Sequence, residues 1–178
     1  MKLSFREAEN KDVEQLISLV DSAYRGESSR QGWTTEADLL DGRRTFTEEV
    51  VDIIGAPSNK IILVENDSEL LASVHIKKSH SSGKINRAYL GMFAVSPRHQ
   101  NKGIGKSVLQ YVEKLVADEW KVQEVEMTVI RQRSELIRWY EKLGYRITGE
   151  KRDFPYGDVR YGIPKREDLE LLVMVKKV

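Results

Sequence analysis

LGMFAVSPRHQNKGIGKS, residues 90–107, is the stretch on which the fold reading turns. Leu90 to Val95 is an apolar, strand-like run, and Ser96-Pro97 ends it because proline donates no ladder hydrogen bond. After a short polar turn, Gln100-Asn101-Lys102-Gly103-Ile104-Gly105-Lys106 leads into a helical period carried by Ile104, Val108, Leu109, Val112, Leu115 and Val116. A strand, a glycine-bearing turn and a helix start, in that order, make an anion cradle. The first-turn N–H groups of a helix lack intrahelical partners and lie at the positive end of its dipole, and glycine lets a phosphate approach the backbone.

Gly105-Lys106-Ser107 imitates the end of a nucleotide-binding P-loop. That motif also needs a glycine five positions before Gly105, where this chain has Gln100. What remains is Gln-x-x-Gly-x-Gly directly after a strand ending Val-Ser-Pro.

The chain has 178 residues, 40% of them hydrophobic, which is enough for one ordinary domain spanning 1–178 with a sizeable core. Its 29 basic and 28 acidic side chains leave a net charge of +1, so charge gives no general pull toward nucleic acid or an anionic membrane. Cysteine is absent, which removes disulfides, thiolate metal ligands and a cysteine nucleophile together. His75, His80 and His99 share no ligand spacing, and no metal is expected. MKLSFREAEN at the N-terminus has no apolar core, and no run reaches membrane-spanning length, so the expectation is a cytoplasmic protein.

Taken in order, Leu3 to Arg6 alternates like a strand, and Asn10 is placed to cap a helix running to about Tyr24. Thr34 or Thr35 is placed to cap a short helix holding Leu39 and Leu40. Thr45 and Glu48 have capping-box spacing for another helix that Gly55 stops. From residue 61 the period changes to two: Ile61–Glu65, Leu70–Lys78 and Arg87–Val95 read as strands, with a polar turn around Gly83. The cradle helix runs to about Trp120. A strand over 125–130, a helix over 135–142, a strand over 145–150, a long loop over 151–168 and a strand over 169–177 follow. The result is an α/β domain with its strands concentrated after residue 60.

A second segment, LIRWYEKLGYRITG at residues 136–149, is similar to the Leu-Tyr-Glu-Lys-Leu-Gly-Phe segment of GNAT N-acyltransferases, with Trp139 for the leucine and Tyr145 for the phenylalanine. The Gln100–Gly105 pattern resembles the acyl-CoA pyrophosphate loop of the same superfamily. Two such segments in the right order are far more specific than either alone. The resemblance implies a mixed, mostly antiparallel sheet flanked by helices and splayed beside the Leu90–Val95 strand. Acetyl-CoA is then the cosubstrate. Its pantetheine arm would pair with backbone groups of Phe93 and Val95, and its pyrophosphate would lie on N–H groups of Gln100, Asn101, Lys102, Gly103, Ile104, Gly105 and Lys106. A β-carbon at Gly103 or Gly105 would then collide with the ligand.

The resemblance also places Tyr140 as the general acid that protonates the CoA thiolate; the bland reading is a core tyrosine on an amphipathic helix. Members often carry a glutamate on the preceding strand as the base, and here that position is Tyr89. The base is left open among Glu126, a backbone carbonyl acting through water, an acid from the first helical region, and none. Arg133 stands where members often have asparagine; Arg131 and Arg133 either meet a CoA phosphate or are solvated.

Binding residues favour loops on a rigid scaffold, so the acceptor site is expected from residues 24–36 and 152–168. Glu36 and Trp33 are the candidates to hold a cationic amine by charge and cation–π contact. The reading is therefore an N-acetyltransferase acting on an amine acceptor, with a non-catalytic acyl-CoA-binding domain of the same fold as the alternative. Exposed strand edges make a homodimer the expectation for assembly.

Overall fold

The computed structural model describes residues 2–79 and 86–178, and the turn expected around Gly83 lies outside the described residues. Strand β1 (Ser4–Glu7) passes through a single 3-10 turn into helix α1 (Val13–Tyr24). Asp12, not Asn10, stands at the start of α1, where its carboxylate accepts from the Glu9 N–H at 2.8 Å and from Arg6 at 2.7 and 2.9 Å. Next come α2 (Gly26–Ser29), β2 (Leu40–Asp41), α3 (Thr47–Gly55), β3 (Asn59–Asn66), β4 (Glu69–Ser79) and β5 (Arg87–Val95). The second half holds α4 (Ile104–Trp120), β6 (Glu124–Ile130), α5 (Ser134–Lys142), β7 (Arg146–Asp153), β8 (Ile163–Pro164) and β9 (Glu170–Lys177). No helix among the described residues is long and apolar enough to cross a membrane.

Three local expectations are corrected. Leu39 and Leu40 form no helix: Leu40 pairs with Pro164, and the Leu39 carbonyl accepts from the Lys165 N–H at 2.9 Å. Two apolar side chains make too narrow a stripe to hold a short helix against a competing strand. Helix α3 starts at Thr47, and the Thr45 hydroxyl donates to Glu49 at 2.8 Å instead of sharing a capping box with Glu48. The stretch 151–168 is only partly loop, since β7 continues to Asp153 against β9 and Ile163–Pro164 pairs with β2.

Seven strands form one sheet in the order β1-β3-β4-β5-β6-β9-β7, every neighbour antiparallel except β5 and β6. Helices α4 and α5 pack on one face through Ile104, Val108, Val112, Val116 and Ile137, while α1 and Val50 of α3 cover the other. Strand β3 divides by alternation, Ile62 and Val64 toward α4, Ile61 and Leu63 toward α1.

Strand β5 breaks that rule. Ala88 and Leu90 face α4, yet Met92 and Ala94, of the same parity, face α1. The register explains the switch: Gly91 pairs with His75 and Ala94 with Ser73, so Met92 and Phe93 together oppose Val74. This is a β-bulge, with Met92 at φ +44°. The parallel pairing of β5 with β6 spans only Arg87–Tyr89 against Glu124–Glu126 and stops just before the bulge. Beyond it the two strands separate, and Phe93 and Val95 face the opening.

His75, opposite the bulge, has its imidazole Nε2 2.7 Å from Asn59 Oδ1. Burial, then the charges of Lys77 and Arg44, pulls it from 6.5 down to about 4. The unfolded chain therefore takes up this proton first as pH falls. Stability is full above pH 6.5 and is lost between 6.5 and 4, by at most about 3 kcal/mol. Urea denaturation at pH 7 and pH 4.5 should show the loss, and His75→Gln should flatten it.

Candidate active site

The turn between β5 and α4 is built to present donors. Pro97–His99 makes a single 3-10 turn, Asn101 takes φ +62°, and Gly103 at φ +80° is the N-cap of α4. The first backbone bond into the helix runs from the Ser107 N–H to the Gly103 carbonyl at 3.1 Å. None of the N–H groups from Gln100 through Lys106 has an acceptor among the described residues. These groups and the dipole of a 17-residue helix converge on one concave turn.

Its shape agrees only in part with the expected role of the glycines. A Cβ at Gly103 meets no heavy atom within 4 Å, so the space above the turn is open and the constraint is the positive φ. A Cβ at Gly105 would lie 3.2 and 3.3 Å from the Trp139 indole, so the protein's own packing already crowds this position.

Beside this turn lies a cavity of about 210 Å³, lined by Trp33, Phe93, Val95, Gln100, Asn101, Gly103, Gly105, Lys106, Trp139 and Tyr140, among others. Lys102 and Ile104 do not line it, and the Ile104 side chain is in the core. The Gln100 side chain has a task absent from the sequence reading: Oε1 accepts from the Trp33 N–H at 2.9 Å and Nε2 donates to the Val95 carbonyl at 3.1 Å. The Phe93 carbonyl accepts from the Tyr24 hydroxyl at 2.9 Å. Both outward carbonyls of β5 are thus occupied, while by strand alternation the N–H groups of Phe93 and Val95 face the same opening.

A second cavity of about 150 Å³ lies on the other side of a wall formed by Tyr24, Phe93, Arg133, Leu136 and Tyr140, which line both. Tyr140 projects from α5 with its ring edge-on to Trp139 and Tyr145. The residue is 5% exposed, yet its hydroxyl makes no hydrogen bond among the described residues and is not a sealed orphan. Burial, with a smaller push from Tyr24, raises this phenol well above the usual tyrosine value, so it keeps its proton throughout the working range of a protein.

The second cavity draws on both loops expected for an acceptor: Arg25 and Glu36 from one, Phe154, Pro155 and Tyr161 from the other. The two acceptor candidates lie apart. Trp33 lies on the cradle side, 6.1 Å from Trp139 between ring centroids. Glu36 is 7% exposed and already held between arginines, Arg25 Nη1 on one oxygen and Arg133 Nη1 at 2.9 Å on the other. Burial alone would lift this carboxyl, but the charges of Arg133, Arg25 and Arg44 outweigh it and hold it below the ordinary value.

Arg133 is not a solvated surface charge, and it lines the cradle-side cavity as well as the second one. It is 7% exposed and gives its second Nη to Thr34 at 2.8 Å. Arg131 lies outside the site and is tied to Asp168 and Glu170. Glu126 faces a different groove, where it is paired with Arg87 at 3.1 Å and Arg152 at 2.8 Å. Tyr89 lines the second cavity with its hydroxyl 3.1 Å from Thr128. Tyr24, Arg25 and Arg44 carried no motif and were missed as individual residues.

Comparison with known proteins agrees with this architecture. The acetyltransferase (GNAT) family profile matches residues 15–145. The S-(2-succino)cysteine N-acetyltransferase of Bacillus subtilis (strain 168) is 28% identical over 156 residues, covering 85% of this chain and 88% of that protein. The spermine/spermidine N(1)-acetyltransferase of the same organism is 28% identical over 67 residues, 38% of this chain and 44% of that one. Among solved structures, smu.2055 from Streptococcus mutans UA159 superposes with a TM-score of 0.72 at 17% identity over 99% of both chains. With the profile spanning most of its length and the fold shared, this chain belongs to the GNAT acetyltransferase family.

Proposed function

We propose that the protein transfers an acetyl group from acetyl-CoA to the nitrogen of an amine by direct attack, with Tyr140 as the general acid. The observation that carries this reading is the shared wall: a donor-lined cradle and a separate polar chamber meet at a buried phenol with no hydrogen-bond partner among the described residues. The relatives named above place acetyl on nitrogen, in S-(2-succino)cysteine and at N1 of spermine or spermidine, and N-acetylation is what carries over here.

The residues divide the work by type. N–H groups from Gln100 to Lys106 receive the diphosphate, and Phe93 and Val95 offer strand donors to the arm that follows. The amine lone pair forms the new C–N bond as the C–S bond breaks, the Tyr140 hydroxyl gives its proton to the departing sulfur, and the proton that the nitrogen then sheds restores the phenol by way of solvent. Glu36 is the one acidic side chain on the described chamber wall, and two guanidiniums hold it, so it is a poor base. The amine is then drawn as its neutral form. At pH 7 that form is about one part in 2,500 for a pKa near 10.4, a penalty of about 4.6 kcal/mol.

A thiol reagent reads the reaction without background, because the chain has no cysteine of its own. Amine-dependent release of CoA thiol, with the acetylated amine found by mass, is the expected result. Stabilisation by acetyl-CoA with no release across a broad amine panel would instead make the protein a binding module. Gly103→Ala should cost about 1–2 kcal/mol of stability through its left-handed backbone. It should also weaken acetyl-CoA binding about tenfold by tilting the donors, which titration calorimetry would measure.

A further inference from the structure

The chamber behind Tyr140 carries a charge that the transfer chemistry does not use. Three guanidiniums, of Arg25, Arg44 and Arg133, and one carboxylate, of Glu36, line it, a formal net charge of +2. Arg25 and Arg133 are 6% and 7% exposed, and the Nε donor of each is buried without an acceptor. Arg44 has no ion pair and no side-chain hydrogen bond among the described residues. Its guanidinium lies over the Tyr24 ring at 5.1 Å from the centroid, and Arg133 lies at 5.8 Å from the same ring. Buried guanidiniums in excess of their counter-ions are costly, and the cost falls when an anion enters.

We propose that this chamber takes its acceptor by a carboxylate, so that the molecule acetylated is a small amino acid-like amine bearing one or more carboxylates and not a polyamine. The inference rests on the acetyl-transfer reading above and adds the acceptor class to it. The layout gives the acceptor a direction. Arg44 lines the chamber and the outer groove beyond it, whereas Tyr140 lines the chamber and the cradle cavity. A carboxylate at the Arg44 end therefore leaves the amine toward the wall where the thioester is attacked. A planar guanidinium with free donors suits a carboxylate in bidentate geometry. A cation such as spermidine meets the same charges as repulsion, and the one acid present is already shared by two arginines. At about 150 Å³ the chamber is of the size that holds one small molecule.

The test is kcat/KM, by CoA thiol release, for aspartate, glutamate and S-carboxymethylcysteine, for the diamide of each, for spermidine, and for an acidic peptide with a free N-terminus. At least one free amino acid should exceed its own diamide and spermidine about tenfold or more, the range set by one charge-assisted hydrogen-bonded contact. Arg44→Gln should erase that preference through KM while leaving the KM for acetyl-CoA within about twofold, and Arg44→Lys should restore part of it. Spermidine or the diamides performing equally well, the peptide alone being turned over, or a preference that survives Arg44→Gln overturns the acceptor class and leaves acetyl transfer standing. Acetyl-CoA binding with no turnover of any of these compounds overturns both readings.

Discussion

Tyr140→Phe is expected to lower kcat about 100-fold, the low end of what a positioned general acid contributes. The KM for acetyl-CoA should stay within about twofold, because the cradle donors are backbone groups that this substitution leaves unchanged. Folding stability should hardly change, since the phenol oxygen has no hydrogen-bond partner among the described residues and the ring keeps its edge-on contacts with Trp139 and Tyr145. That combination separates an acid from a packing residue. A core tyrosine with no chemical duty would leave kcat where it was, and steady-state kinetics beside a thermal melt decides between the two. The raised pKa of the phenol has a matching consequence in the wild type: Tyr140 itself gives no alkaline fall in kcat below pH 10.

Glu36→Gln should have the largest effect on stability. Its carboxylate is the sole described anion within reach of Arg25 and Arg133, both buried, and an amide of the same shape leaves their charges facing one another. Breaking a buried pair from one side costs about 3–5 kcal/mol, which for a chain of this size lowers Tm by about 10 °C or more. The change also frees the segment that Thr34 and Arg133 tie to α5, so the acceptor KM should rise while the cradle remains intact. A melting temperature within about 2 °C of wild type would show that solvent already screens the arginines and that Glu36 is not the tie.

Sequence and structure agree best where the deciding contacts are local. Pro97 as the end of β5, the glycine turn, the start of α4 at Ile104 and the placing of Tyr140 on α5 all follow from residues within a few positions of one another. What escaped depends on partners far along the chain. Glu36 reads as a loop acid open to an amine until Arg133, 97 positions away, is brought onto it. Arg133 reads as a surface charge for the same reason. The bulge at Met92 left no mark either, because Leu90 to Val95 is apolar at nearly every position and an extra residue does not disturb such a run. The cradle-side position of Trp33 was not legible, because it follows from the Gln100 clip on its backbone, a contact no periodicity reports.

The early parting of β5 from β6 has a consequence for inhibition. Because the two cavities share a wall at Phe93 and Tyr140, a compound that bridges it would occupy both at once. Tethering an acidic amine through its nitrogen to the sulfur end of CoA gives a conjugate whose second half binds at the high local concentration set by the first, and its affinity should far exceed that of either fragment. Such a molecule would compete with both reactants.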